Sequence, residues 1–155
     1  MSLRFPYQVY ATNRFIPSLS GRTARPRPVM SVTIIGTNGS RATEATIDTA
    51  ADDTIFPESI AQSIGIDLST APILSGQGVG MVITPLRYAQ VTLRLTDGRE
   101  RCEWPAWVAF APLRMRRGLL GFAGCLQFFT ATFLGDVEEV DLDPNRLYPG
   151  MHARA

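Results

Sequence analysis

Between Ala45 and Asp67 the chain reads "ATIDTAADDTIFPESIAQSIGID", which places three carboxylates, Asp48, Asp52 and Asp53, directly after an apolar run. Asp48 falls at the C-terminal end of that run, where the small residues Ala50 and Ala51 permit a sharp bend. A carboxylate placed there is surrounded by core yet open to a cleft, and Thr49 beside it can hydrogen-bond neighbouring backbone and stiffen the bend. That arrangement suits acid–base chemistry. The rest of the composition offers little else. All fifteen basic residues are arginine, so there is no lysine for a Schiff base or a phosphate-binding P-loop. The single histidine, His152, lies in what reads as a frayed tail, too isolated for a histidine triad or a metal cluster. Cys102 and Cys125 are too few and too far apart for a zinc site and read as buried small hydrophobes rather than a disulfide. No metal and no cofactor is expected. If the chain is a hydrolase, carboxylates do the work.

At 155 residues and 45 % hydrophobic composition the chain fits one domain able to bury a real core. A formal charge of +1 calls for neither nucleic acid nor a membrane surface as partner. No window approaches the roughly 18 apolar residues of a membrane span. The start "MSLRFPYQVYATNRF" lacks the apolar core and cleavage site of a signal peptide. These features read as a soluble, cytoplasmic protein.

The elements that must position Asp48 are strands. Residues 1–28 read as an extended, proline- and arginine-rich arm in which "FPYQVY" can add a strand. Arg22, Arg25 and Arg27 within it read as solvated surface. "VMSVTIIG" and "RATEATI" flank "TNGS", and Asn38-Gly39 predicts a hairpin with a type I′ turn that delivers the chain into Asp48. Pro57 can open a short helix with Ile60, Ala61 and Ile64 as its apolar stripe and Gly65 as a left-handed cap. "SGQGVGMV" carries Gly76, Gly78 and Gly80 at a hairpin tip, and Val91, Leu93 and Leu95 alternate as a half-buried strand. Asp97-Gly98 marks a turn, and "CEWPAWVAF" returns as a strand interrupted at Pro105. "GLLGFAGCLQFF" combines a strand end, Gly121 and a short apolar helix. One or two strands precede a polar tail at 144–155. The fold class is all-β with one or two short helices.

The segment Ile47 to Ile55 resembles the catalytic segment of retropepsin-like aspartic proteases, in which an apolar strand ends in Asp-Thr/Ser-Gly-Ala and leads through a polar pair into a short helix. "LSGQGVGMV", from Leu74 to Val82, is similar to the family's glycine-rich flap, and "GLLGFAGCLQFFTATF" to its apolar-apolar-Gly strand, helix and closing strand. The resemblance covers about Met30 to Leu142. It implies a closed acid-protease β-barrel over 29–143, and a water activated between two aspartates, one acting as base and the other as proton donor. The chain holds one such motif, so the resemblance implies a homodimer giving one Asp48 from each copy. It also implies that Thr49 braces the pair and that Ala50, Asp52 and Asp53 line a peptide groove. Gly76, Gln77, Gly78, Val79 and Gly80 would close over the peptide. Ala50 stands where the family usually has glycine. Phe122 and Ala123 stand where retroviral members carry Arg and Asn or Asp, which leaves Asp52 to find a backbone N–H or one of Arg114, Arg116 and Arg117. The alternative is a catalytically silent member that binds an extended peptide by strand addition, or a dimerisation module in which Asp48 is a turn residue.

Overall fold

The computed structural model describes residues 2–78 and 82–155. Its strands are β1 (Leu3–Pro6), β2 (Gln8–Ile16), β3 (Arg22–Arg27), β4 (Val29–Gly36), β5 (Gly39–Ile47), β6 (Ile55–Pro57), β7 (Ile73–Gln77), β8 (Ile83–Thr96), β9 (Glu100–Ala111), β10 (Gly118–Leu120), β11 (Phe129–Leu134), β12 (Glu139–Pro144) and β13 (Met151–Arg154). One α-helix, α1 (Glu58–Ser63), and two 3-10 turns, Pro17–Leu19 and Leu126–Phe128, complete it. Among the described residues, no helix is long and apolar enough to cross a membrane.

Strands β9, β6, β10, β5, β4 and β8 pair in that order, and β8 pairs with β9 again, closing a six-stranded barrel. The interior is filled by alternate residues, among them Val91, Leu93 and Leu95 of β8 and Trp104, Val108 and Phe110 of β9, all buried. Trp104 anchors one end. Its ring stacks edge-on against Phe129 at 5.1 Å, and its indole N–H donates to the Gly124 carbonyl at 2.9 Å.

The β4–β5 hairpin forms, but its two-residue turn is Thr37-Asn38, one position earlier than the Asn38-Gly39 type I′ expectation. Only Gly39 there has positive φ, +147°. The tertiary surroundings decide the shift. Asn38 N–H donates to the Ile64 carbonyl at 3.1 Å, and the turn rests on the end of α1. That end is as expected: Gly65 has φ +76°, Ile66 N–H donates to Ala61 O at 2.9 Å, and Gly65 N–H reaches Gln62 O, a Schellman cap.

β9 runs straight through Pro105, without the expected interruption. Ala109 N–H points away from β8, donating to Thr54 O at 2.8 Å, and counting back by twos puts Pro105 on that same edge. β13 pairs along that edge only at residues 100–103, and β6 only at 109–111, so Pro105 withholds no ladder bond.

The N-terminal segment is more than an extended arm. β1 pairs with β12 in a three-stranded sheet with β11, while β2 and β3 form a hairpin of their own. Arg4 donates twice to Asp141 at 2.8 Å, Arg22 pairs with Glu138, and the Arg117 guanidinium sits 4.2 Å over the Tyr10 ring. The far end is ordered too, so His152 does not lie in a frayed tail. β13 pairs with β9, placing His152 opposite Cys102 and its Nε2 3.2 Å from Glu100 Oε2. Tyr148 packs on Trp104 and Phe129, which buries the connection leading into β13.

Candidate active site

β5 carries the chain to Asp48, and β10 runs parallel beside it, Leu120 opposite Ile47. Asp48 N–H donates to Leu120 O at 3.1 Å, so the bend starts where the two strands part. The half-buried Asp48 carboxylate then turns back on its own loop, Oδ1 accepting from Ala50 N–H at 3.0 Å, while Ala51 N–H donates to Asp48 O at 3.2 Å. The bend is stiffened by the aspartate itself. Thr49, expected to do this, is exposed and makes no hydrogen bond among the described residues.

Downstream, Phe122 N–H donates to Ala51 O, Ala123 N–H to Asp52 O, and Thr54 N–H back to Ala123 O, all within 3.0 Å. This ladder lashes residues 51–54 to 122–123. It passes Gly121, where a β-carbon would overlap the Asp53 carbonyl oxygen. Asp48 therefore sits on a loop fixed by backbone bonds on both sides.

The flanking carboxylates differ. Asp52 is exposed, and its carboxylate makes no ion pair among the described residues. Arg117 instead pairs with Glu44, and neither Arg114 nor Arg116 reaches Asp52, so the expected arginine partner is not found. Its backbone carbonyl, not its side chain, is what the loop uses. Asp53 is half-buried, and Oδ2 accepts from the Tyr88 hydroxyl at 2.7 Å. Burial, reinforced by Asp53, pushes the Tyr88 phenol well above its ordinary range, so the hydroxyl remains a donor. A hydrogen bond to a charged acceptor contributes about 1.5–3 kcal/mol. Sequence reasoning missed Tyr88. The alternation of β8 signals its direction, since it lies on the face opposite Val91, but nothing local names its partner.

β7 and β8 form the hairpin that carries the glycine-rich segment, with Gln77 opposite Ile83. Gly76 packs against Leu86, where a β-carbon would come 2.7 Å from a side-chain methyl, whereas a β-carbon on Gly78 would meet nothing within 4 Å among the described residues. Val79 and Gly80 lie outside the described residues. The hairpin presents Ile73, Leu74, Val82 and Ile83 to solvent, each more than half exposed.

Residues 30–123 match the aspartyl protease family model, covering Asp48, its loop and Gly121. The chain belongs to the aspartyl protease family. The structure of this aspartyl protease family member superposes on the crystal structure of a retropepsin-like aspartic protease from Rickettsia conorii with a TM-score of 0.53, over 100 % of this chain and 98 % of that one, at 13 % identity. The fold is retropepsin-like, as the sequence resemblance implied. No curated protein matches the family member's sequence.

Proposed function

We propose that two copies of this chain form an aspartic endopeptidase in which the two Asp48 carboxylates share one proton across a two-fold axis. The supporting observation is the setting of Asp48: half-buried, at the end of an apolar strand, on a loop bound by backbone bonds to β10 and to residues 122–123. A lone carboxylate cannot both take a proton from water and give one to the peptide carbonyl. Two in contact titrate apart, so one is base while the other is acid. In this reading one Asp48 removes the water proton as the oxygen attacks the scissile carbonyl. The other protonates the carbonyl oxygen, and as the tetrahedral species collapses the first gives its proton to the departing amine while the second recovers one from the diol hydroxyl, which restores the singly protonated pair.

The seam is proposed to involve β11, which among the described residues has β12 on one side and no strand on the other, with Phe133 42 % exposed. Thr49, exposed beside Asp48, would brace the pair. Ala50, Asp52 and Asp53 would line the groove, and residues 76–80 would close over the peptide. One feature favours a silent peptide-binding module instead. The exposed Ala50 methyl stands beside the carboxylate, where a substrate backbone has to pass.

The test is cleavage of a peptide library by the chain alone and mixed with excess Asp48→Asn chain. Activity that falls on dilution and is poisoned by the mutant supports the shared site. Full activity from a species that sediments as a monomer overturns it, and saturable peptide binding without turnover supports the silent module.

A further inference from the structure

A cavity of about 310 Å³ opens beside Asp53, lined by Tyr88, Gln90, Pro105, Trp107 and Gln127 among others. It forms where β9 has lost β13 and not yet met β6, and the 123–128 segment crosses that gap. Of its lining, the catalytic proposal uses only Asp53, as part of the groove wall.

Its chemistry is one-sided. The Asp53 carboxylate gives Oδ2 to Tyr88, while Oδ1 has no partner among the described residues. Tyr88 supplies a neutral donor and no compensating charge, and the second carboxylate whose field reaches its phenol is Asp52, also unpaired. The cations on β8 are turned to other carboxylates, Arg87 toward Glu58 at 3.8 Å and Arg94 to Glu103 at 2.7 Å. The side-chain amides of Gln90 and Gln127 make no hydrogen bond among the described residues, so their oxygens can accept. Trp107 is 56 % exposed, an unusual degree for so large a ring, and borders the cavity. An uncompensated carboxylate, two amide oxygens and an aromatic face together describe acceptors around a flat cation.

We propose that this cavity is a recognition pocket for a basic side chain of the peptide, arginine above all, bound at a position outside the scissile pair. The inference rests on the endopeptidase reading only for what carries the side chain. The guanidinium lies against Trp107, donates to Asp53 Oδ1 and reaches the amide oxygens of Gln90 and Gln127. Arginine is favoured over lysine because its planar fork can stack and donate to several acceptors at once, whereas an ammonium is a single strongly hydrated point. Asp53 is then a specificity residue and Tyr88 a positioning residue that holds one carboxylate oxygen so that the other faces the pocket. The pocket sits five residues beyond Asp48 along the same fixed loop, so an arginine seated in it sets the register of the peptide over the reacting atoms.

Binding is tested first without turnover. Full-length Asp48→Asn chain is titrated with N-acetyl-arginine methylamide while the indole N–H signals of Trp104 and Trp107 are followed by NMR. The expected result is a saturable shift of the Trp107 signal alone, weakened about tenfold by Asp53→Asn through loss of the charged acceptor. No saturable shift, or the same shift from the norleucine analogue, overturns the pocket. The unsubstituted chain is then assayed on peptides differing only in Arg, Gln or Leu at one distal position. Arginine should lower KM and leave kcat unchanged, and equal KM for all three overturns the specificity role. Arginine probe bound while no peptide of any sequence is cleaved upholds the pocket and defeats the endopeptidase reading instead.

Discussion

Gly121 lies directly against the backbone of Asp53: a β-carbon on Gly121 would overlap the Asp53 carbonyl oxygen and come 2.8 Å from the Ala51 carbonyl. Neither obstacle is a flexible side chain. Both belong to the loop that begins at Asp48, so the position of the candidate acid is coupled to the absence of a single methyl group.

Gly121→Ala should therefore destabilise the fold by about 1–3 kcal/mol, as overpacking does, and lower the thermal midpoint by several degrees. Peptide cleavage should fall further than the folded fraction does. A melting curve superimposable on that of the unsubstituted chain would mean that the loop is not held as described.

Asp48→Asn keeps an oxygen to accept the Ala50 N–H, so stability should change by less than about 0.5 kcal/mol while activity drops by about 10²–10⁴. Ala50→Gly should retain the fold at a cost of about 0.5–1 kcal/mol in chain entropy and maintain or raise cleavage. Both are read by a peptidase assay beside a denaturant curve. Undiminished cleavage by Asp48→Asn would remove Asp48 from the mechanism.

The attachment of the N-terminal segment should weaken in acid. Hydrogen bonding to Arg22 lowers the Glu138 carboxyl, and hydrogen bonding to Arg4 lowers that of Asp141, relative to their free values near ~4. A carboxyl depressed in the folded state contributes fully above its unfolded value, and the contribution is lost as pH falls through the folded one. Amide protection in β1 and β2, taken relative to the intrinsic exchange rate at each pH, should fall below roughly pH 4, and Glu138→Gln or Asp141→Asn should flatten that dependence. Protection that does not change with pH in the unsubstituted chain would contradict it.

Cleavage itself should favour mildly acidic pH, above that loosening, because a carboxylate pair works only while it holds a single proton. Chelation with EDTA should leave it unchanged. Full activity at an alkaline pH of about 9 would contradict a shared proton between two carboxyls.

Cys102 and Cys125 are free and completely buried, and burial pushes the Cys125 thiol up to about 12. Neither should react with dithiobis(nitrobenzoate) at pH 8 until the barrel opens. Stoichiometric labelling of the native chain within mixing time would show that one end of the barrel breathes freely.

Legibility in the sequence followed the range of the interactions. Gly65 and Gly98 are local punctuation and stand where expected, with φ of +76° and +86°. Asp48 at a strand end, and the strand carrying Val91, Leu93 and Leu95, follow from apolar patterning over a short window. The turn at Thr37-Asn38 was shifted by a contact with Ile64 that no dipeptide preference contains. Pro105 read as a break because its missing N–H matters only if a strand lies on that edge, which depends on where β13 and β6 stop. β13 and the Tyr88–Asp53 bond were invisible for the same reason: each joins segments remote in sequence, and neither partner carries a mark of the other.

The pairing of β1 with β12 has a consequence for how the molecule comes into being. Leu3 finds its place opposite Leu142, so this sheet closes only after all the residues between them have been synthesised. Loop closure over that span adds little to the equilibrium cost, since each doubling of a loop costs only about 0.6 kcal/mol, but contacts so distant slow the search. The apolar pair Leu3 and Phe5 is synthesised well before its partners Leu142 and Val140 and must wait for them. Throughout that interval the nascent chain trails an unpaired edge strand, open to a chaperone or to the growing copy on a neighbouring ribosome.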